Sequence, residues 1–383
     1  MSATFQPSNV LIVGAGFSKN AGLPLVSDFT KELLNLRRLR LDGPNGVLVR
    51  FIRQFVDTSF GEGAARTPDQ WPDLEDLFTL VDLAANSGHH LGPAYPAARL
   101  RLVRRAIIAR MIRMLDRAYN DGVRAGGSDR EALDSVIAEL NLDDVSVLSM
   151  NWDTVIERDL ASRRLLTNFD YGCGARRAAF RDGKLAERPL PNAATVEILK
   201  PHGSVNWLYC DACRNIYWLI PDEGSRVART FFRQADWEAI GADSRTSGPA
   251  RLAQTCPSCE ADALGTRFAT FSYRKALDFP MFAASWRTAE ERLKRAADWV
   301  FVGYSLPAAD FEFKHLLKRI QLSEGERPRI TVVTKGFAGE ETINRYEKFF
   351  GTVSSERTYL RNGFDRQAVE HLRRIRVLGS SPS

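Results

Sequence analysis

No apolar run among these 383 residues exceeds roughly five or six positions, far short of the ~20 a helix needs to cross a bilayer. No membrane span is therefore expected. The first residues, Met-Ser-Ala-Thr-Phe-Gln-Pro-Ser, lack a charged segment followed by an apolar one and lead almost directly into a buried-type strand. A cytoplasmic location is the expectation. A long basic block is also missing. The net charge is +6, but Lys and Arg alternate with Asp and Glu along the whole chain, so the positive balance reads as a solvated surface and direct nucleic-acid binding is not expected. Cysteine is scarce: there are five, and four of them form two Cys-x-x-Cys pairs. In a cytosolic chain that pattern argues for metal rather than disulfides. Internal repeats and low-complexity tracts are absent.

What is present is ordinary for a soluble enzyme, with 44% hydrophobic and 26% charged residues. The length suits one large domain with an insertion, or two modest ones. Short β-branched runs at Val10–Val13, Val145–Leu148, Val196–Leu199, Trp299–Val302 and Ile330–Val333 mostly lack strict alternation, as strands buried on both faces of a parallel sheet do. Helical stretches lie between them at Val26–Leu36, Leu74–Ala85, Ala97–Tyr119, Glu131–Leu140, Ser285–Ala297 and Phe311–Ile320. The Ala97–Tyr119 stretch is rich in arginine, yet its apolar positions keep helical spacing, so it is expected to pack on a core. The alternation implies an α/β fold, a Rossmann-like doubly wound parallel sheet. The expected domain spans residues 1–204 and 273–378, with a helical insertion at about 60–140. Residues 205–272, rich in Gly, Pro, Cys and Trp, read as an inserted small zinc-ribbon module, and 379–383 as a disordered tail.

Three strand ends carry chemistry. The first strand runs into Gly14-Ala15-Gly16-Phe17-Ser18, where glycines allow close backbone approach to a pyrophosphate and a helix start presents N–H groups. A dinucleotide fingerprint would need a third glycine at position 19, which is Lys19, and an acidic residue ending a second strand. Asp28 and Glu32 stand at the right distance but inside a helical run, so hydride transfer is not expected. The Val145 strand ends in Ser149-Met150-Asn151-Trp152-Asp153. Asn151 and Asp153 could bind ribose hydroxyls and orient a water, or could cap the helix that follows. The Val196 strand ends in Lys200-Pro201-His202-Gly203-Ser204, and His202 has the side chain best suited to act as a base near neutral pH. His89 and His90 lie in a Gly/Ser loop and receive no role.

Cys210-x-x-Cys213 and Cys256-Pro-x-Cys259 can supply four thiolates to one tetrahedral zinc. The 42 residues between the pairs exceed the usual ~15–20, so the ribbon carries an excursion. A site with four cysteines has no open position, which makes the metal structural. Cys173 reads as a buried thiol.

The order of these segments resembles the sirtuin family. Gly14-Ala15-Gly16-Phe17-Ser18 with Ala21-Gly22-Leu23-Pro24 is similar to the sirtuin glycine loop and its Gly-[Ile/Leu]-Pro. Asn151-Trp152-Asp153 resembles the family's Asn-x-Asp, and His202-Gly203-Ser204 its catalytic histidine segment, followed eight residues later by Cys210. Gly303-Tyr304-Ser305 resembles the later loop that contacts the dinucleotide. The resemblance spans roughly residues 9–335 and implies NAD binding by Gly14 to Ser18, Pro24, Asn151, Asp153, Gly303, Tyr304, Ser305 and Asp310. It implies catalysis by His202, Asn151 and Asp153, with structural zinc on the four cysteines. Deacylating sirtuins follow Gly-Ile-Pro with Asp-Phe-Arg, whereas here Asp28-Phe29-Thr30 comes three residues late and without the Arg. The Trp71-Pro-Asp-Leu-Glu-Asp-Leu-Phe segment and Gly303-Tyr-Ser-Leu-Pro-x-x-Asp310 resemble bacterial sirtuin-like domains of antiphage defence. That sub-branch implies NAD hydrolysis to nicotinamide and ADP-ribose, oligomers, and a partner such as an ATPase or Argonaute-type protein. Protein deacylation or ADP-ribosyl transfer, and a non-catalytic NAD- or ADP-ribose-sensing module, remain the alternatives.

Overall fold

The structure is a computed structural model and describes residues 6–37, 39–61, 70–190, 194–242, 253–266, 282–323, 327–351 and 356–379. In chain order, β1 (Asn9–Val13) is followed by α1 (Ala15–Lys19), α2 (Val26–Leu33), α3 (Pro44–Phe60), α4 (Leu74–Ser87), α5 (Ala97–Ala125) and α6 (Ser128–Glu139). Next come β2 (Val145–Ser149), α7 (Val155–Arg164), β3 (Asn168–Asp170), β4 (Arg176–Arg181), β5 (Lys184–Glu187) and β6 (Thr195–Leu199). The chain continues through β7 (Trp207–Cys210), β8 (Ile216–Trp218), α8 (Gly224–Phe231), α9 (Gln234–Ala239) and β9 (Leu264–Gly265). It closes with α10 (Phe282–Arg295), β10 (Asp298–Val302), α11 (Phe311–Gln321), β11 (Arg329–Val333), α12 (Phe337–Phe350), β12 (Arg357–Leu360) and α13 (Arg366–Arg374).

Seven strands form a parallel sheet in the order β12-β11-β10-β1-β2-β6-β3. All five strands expected from the sequence are in it. Their residues alternate between two cores: Leu11, Val13, Val147, Ile198, Val300 and Val302 face one, and Val10, Ile12, Leu148, Leu199, Trp299 and Phe301 the other. Both faces are covered, which is why these strands read as continuous apolar runs. The chain leaves β1 toward β2 and later returns to its other side with β10. The order therefore reverses at β1, the switch point at which open α/β sheets bind ligands.

A second sheet, β5-β4-β8-β7-β9, draws two of its strands from upstream of residue 205, where the small module was expected to begin. Its β4–β5 hairpin turns on Asp182 and Gly183, both at positive φ (48° and 76°), the conformation a two-residue hairpin turn requires. Residues 243–252 and 267–272 of the expected module lie outside the described residues, as do 380–383 of the expected tail. Gly379 is held, donating its N–H to Glu139 O at 2.7 Å. Among the described residues no helix is long and apolar enough to cross a membrane.

The arginine-rich helix α5 runs to Ala125, where Gly126 and Gly127 leave helical geometry. It buries Leu100, Val103, Ile107 and Met111. Its arginines tie neighbours to it: Arg104 bonds Asp82 on α4, Arg105 bonds Asp236 on α9, and Arg110 donates to the carbonyls of Glu32 and Leu33 on α2. At Gly122 this helix meets the loop after α1. A Cβ at Gly122 would stand 2.1 Å from Ala21 O and 2.8 Å from Ala21 C. The substitution Gly122→Ala should therefore overpack this contact, cost about 1–3 kcal/mol and lower the calorimetric unfolding midpoint. An unchanged midpoint would show that the contact does not constrain the fold.

Candidate active site at four adjacent strand ends

The carboxyl ends of β10, β1, β2 and β6 are consecutive across the sheet, and the loops leaving them are bonded to one another. After β1, Gly14 N–H donates to Val302 O (3.1 Å) and Gly16 N–H to Gly303 O (2.8 Å). A Cβ on Gly14 would lie 2.6 Å from Tyr304 Cα, and one on Gly16 2.8 Å from Gly303 Cα. Gly303 itself has φ +60°, and its Cβ would lie 2.2 Å from Phe17 N. These glycines thus let two loops touch backbone to backbone. Both glycine amides are used inside the protein, and Ala15 N–H, at the first position of α1, has no acceptor within the helix.

The β2 loop joins the same cluster. Met150 N–H donates to Val13 O (3.0 Å), and Asn151 Nδ2 donates to Ser18 Oγ (3.0 Å). Asp153 Oδ1 accepts from Val155 N (3.0 Å), satisfying a free N–H at the start of α7. The N-cap itself is Thr154, which makes no side-chain cap bond, so Asp153 supports the helix start from the preceding position, while Asn151 faces Ser18.

The β6 loop completes the cluster. Val205 N–H and Ser204 Oγ both donate to Trp152 O, at 2.9 and 3.3 Å. His202 is 5% exposed, and its Nδ1 lies 3.3 Å from Met150 O. A carbonyl can only accept, so Nδ1 carries a proton; in the neutral ring Nε2 then holds the lone pair, the tautomer a general base needs. The imidazole stands edge-on to Trp286 of α10, with ring centroids 5.9 Å apart. Beneath these loops, Lys200 Nζ donates to Glu157 Oε1 (3.1 Å) and to the carbonyl of Asp153. Burial raises the Glu157 carboxyl pKa, and Lys200 opposes that rise.

The structure brings Ser18, Asn151, Asp153 and His202 to one region. Other expected ligand residues have interior side chains. Phe17 is buried and meets Phe364 edge-on at 6.3 Å. Tyr304 donates its hydroxyl to Asp310 Oδ2 at 2.7 Å, with both buried, and Tyr346 donates to Tyr304 O. Pro24 and Ser305 are half-buried on the loops. The turn before Pro24 is held by Leu23 N–H donating to Ser18 O. Asp153 lines a small recess together with Leu23, Tyr119, Arg158 and Pro221. Lys200 and Glu157 stand in or just behind the sequence motifs but receive no role from the sequence, and Trp286 carries no sequence signal. Only their partners across the sheet mark them as part of the site.

The four paired cysteines converge. Their Sγ atoms all lie within 4.8 Å of one another, with Cys210–Cys259 at 3.7 Å and Cys213–Cys256 at 3.6 Å. Four thiolates at ~2.3 Å around a tetrahedral zinc stand roughly 3.8 Å apart. The two pairs form matching knuckles: Arg214 N–H returns to Cys210 O and Glu260 N–H to Cys256 O, and Arg214 and Glu260 have φ of 63° and 61°. Burial opposes ionisation of Cys256, but hydrogen bonds from Tyr217 and from the Ser258 and Cys259 amides bring its thiol down to about 6. The donor set fits one structural zinc with no open position. Burial instead pushes Cys173 up to about 12.

No family model and no curated protein matches the chain. Among the solved structures similar to it are two Sir2 proteins. One, described as the structural basis for the mechanism and regulation of Sir2 enzymes, shares 14% identity over 89% of this chain and 91% of its own, with a TM-score of 0.32. The other, Sir2Af2 bound to a myristoylated histone peptide, shares 14% identity over 96% of this chain and 92% of its own, with a TM-score of 0.31. Superposition this loose leaves function to the geometry of the present chain.

Native protein should bind one equivalent of zinc and react slowly with a thiol reagent at neutral pH. Removing the metal with a strong chelator should open the centre and raise the count of reactive thiols, Cys256 foremost, with Cys173 reacting only on denaturation. A colorimetric thiol count that does not rise on metal removal would contradict this assignment.

Proposed function

We propose that the chain binds NAD across the ends of β10, β1, β2 and β6 and hydrolyses its nicotinamide–ribose bond, releasing nicotinamide and ADP-ribose. The observation that carries this reading is the joining of Ser18, Asn151 and His202 by loop-to-loop hydrogen bonds at the switch point of the sheet. A Rossmann-like sheet takes a dinucleotide at that position, and the dehydrogenase fingerprint is missing at Lys19.

The chemistry needs little covalent help. The nicotinamide ring nitrogen is positive in NAD and leaves with the bonding electron pair, giving neutral nicotinamide and an oxocarbenium-like ribose. Water adds to the anomeric carbon, and its proton passes to His202 Nε2. Asn151, fixed by Ser18, orients the ribose, while Ala15 N–H and Ser18 face the pyrophosphate. Fixing the reacting geometry supplies more of the acceleration than the base does. The resemblance to antiphage-defence domains extends this proposal to an NAD-depleting effector in the cytoplasm, oligomeric and controlled by a partner such as an ATPase or Argonaute-type protein.

The metal centre that follows the His202 segment favours a second reading, transfer of ADP-ribose to an acyl-lysine or an acceptor protein. Incubating the pure chain with NAD, with and without an acetyl-lysine peptide, distinguishes the two. Hydrolysis predicts stoichiometric nicotinamide and ADP-ribose without peptide, while transfer predicts product only when peptide or acceptor is present. Binding without any product would leave an NAD-sensing module. In the hydrolysis reading, His202→Ala retains NAD binding by calorimetry and slows nicotinamide release on the order of 100- to 10,000-fold. Unchanged turnover in that variant would remove His202 from the mechanism.

A further inference from the structure

Lys200 has no exposed surface and Glu157 is 1% exposed, yet the two form an ion pair at 3.1 Å. A buried ion pair is weak evidence for stability, because packed apolar residues of similar volume often hold a fold as well or better. Its position is informative. Lys200 is the first residue after β6, and Glu157 lies in the first turn of α7, directly behind the β2 loop. The ammonium also donates to Asp153 O, so one cation holds the end of β6, the turn between Asn151 and α7, and the helix start. Glu157 is well placed there, since a carboxylate in the first turn of a helix is stabilised by the helix dipole. His202 stands two residues beyond Lys200, and Asn151 two residues before Asp153.

We infer that Lys200 and Glu157 are positioning residues, an internal clamp that sets the distance between His202 on one loop and Asn151 on the other. This inference rests on the NAD-cleaving reading for its effect on rate, but not for its effect on the histidine. Three other contacts cross the same gap: Val205 N–H and Ser204 Oγ on Trp152 O, and His202 Nδ1 on Met150 O. The first two fix the outer parts of the loops and the third holds the ring itself, whereas the clamp fixes the main chain from which His202 and Asn151 project. A lysine suits this role because its ammonium offers three donors to partners in different directions, here a carboxylate and a main-chain carbonyl.

The test is the double substitution Lys200→Met and Glu157→Met, which removes both charges together and leaves neither orphaned. Melting temperature, the ring resonance of His202 by NMR, and steady-state constants for nicotinamide release are measured on the full chain. A clamp predicts a melting temperature within a few degrees of wild type, a displaced His202 resonance, and kcat reduced at least ~10-fold with KM for NAD changed less than ~3-fold. A folded double variant with wild-type His202 resonance and wild-type kcat overturns the inference, leaving the pair a packing feature. If the double variant does not fold, Glu157→Gln keeps an acceptor for Nζ at nearly the same volume. It should move the His202 resonance in a smaller step, and an unmoved resonance there also overturns the clamp. If wild-type protein releases no nicotinamide, the functional reading fails by itself and the clamp is judged on the resonance alone.

Discussion

The backbone contact between the loops after β1 and β10 constrains everything around it. Those strands pair in parallel along their full length, so the chain leaves both at the same level and the two loops must share one space. Gly14, Gly16 and Gly303 make that sharing possible, since a Cβ on any of them would fall within 2.8 Å of backbone atoms of the opposing loop. Once the loops meet, α1 is set, Ser18 faces the β2 loop, and Asn151 can reach it. The β6 loop then closes on Trp152 and Met150. The site is thus assembled outward from a contact made by the smallest residues in it.

Much of this was legible in the sequence. The five central strands announced themselves as apolar runs because both sheet faces are covered, and polar segments beginning at residues 149 and 200 marked strand ends as places of chemistry. The cysteine pairs declared their metal centre by spacing alone. The β4–β5 hairpin also had a readable signal, Asp182-Gly183 between alternating residues, and it moves part of the second sheet ahead of residue 205. Helices α3, α12 and α13 carried cues too, such as Pro44 at a helix start after Gly43.

The remainder depends on neighbours distant in sequence. Gly14 and Gly16 match a phosphate-binding turn, and nothing local says that their amides are used by Val302 and Gly303. Tyr304 and Asp310 look like loop residues facing a ligand until the fold turns both inward to bond each other. Lys200 and Glu157 lie on different elements, so neither has a visible partner before the sheet order is known. Local pattern identifies strand ends and metal ligands, while tertiary pairing decides which polar side chains face the crevice and which support it.

The central claim is that the crevice holds NAD with its scissile bond between the β2 and β6 loops. A crystal structure of His202→Ala soaked with NAD tests this most directly. The account predicts intact NAD with its pyrophosphate at Ala15 and Ser18 and its nicotinamide ribose between Asn151 and residue 202. NAD bound elsewhere on the molecule, or a crevice that stays free of nucleotide at saturating concentration, would contradict it.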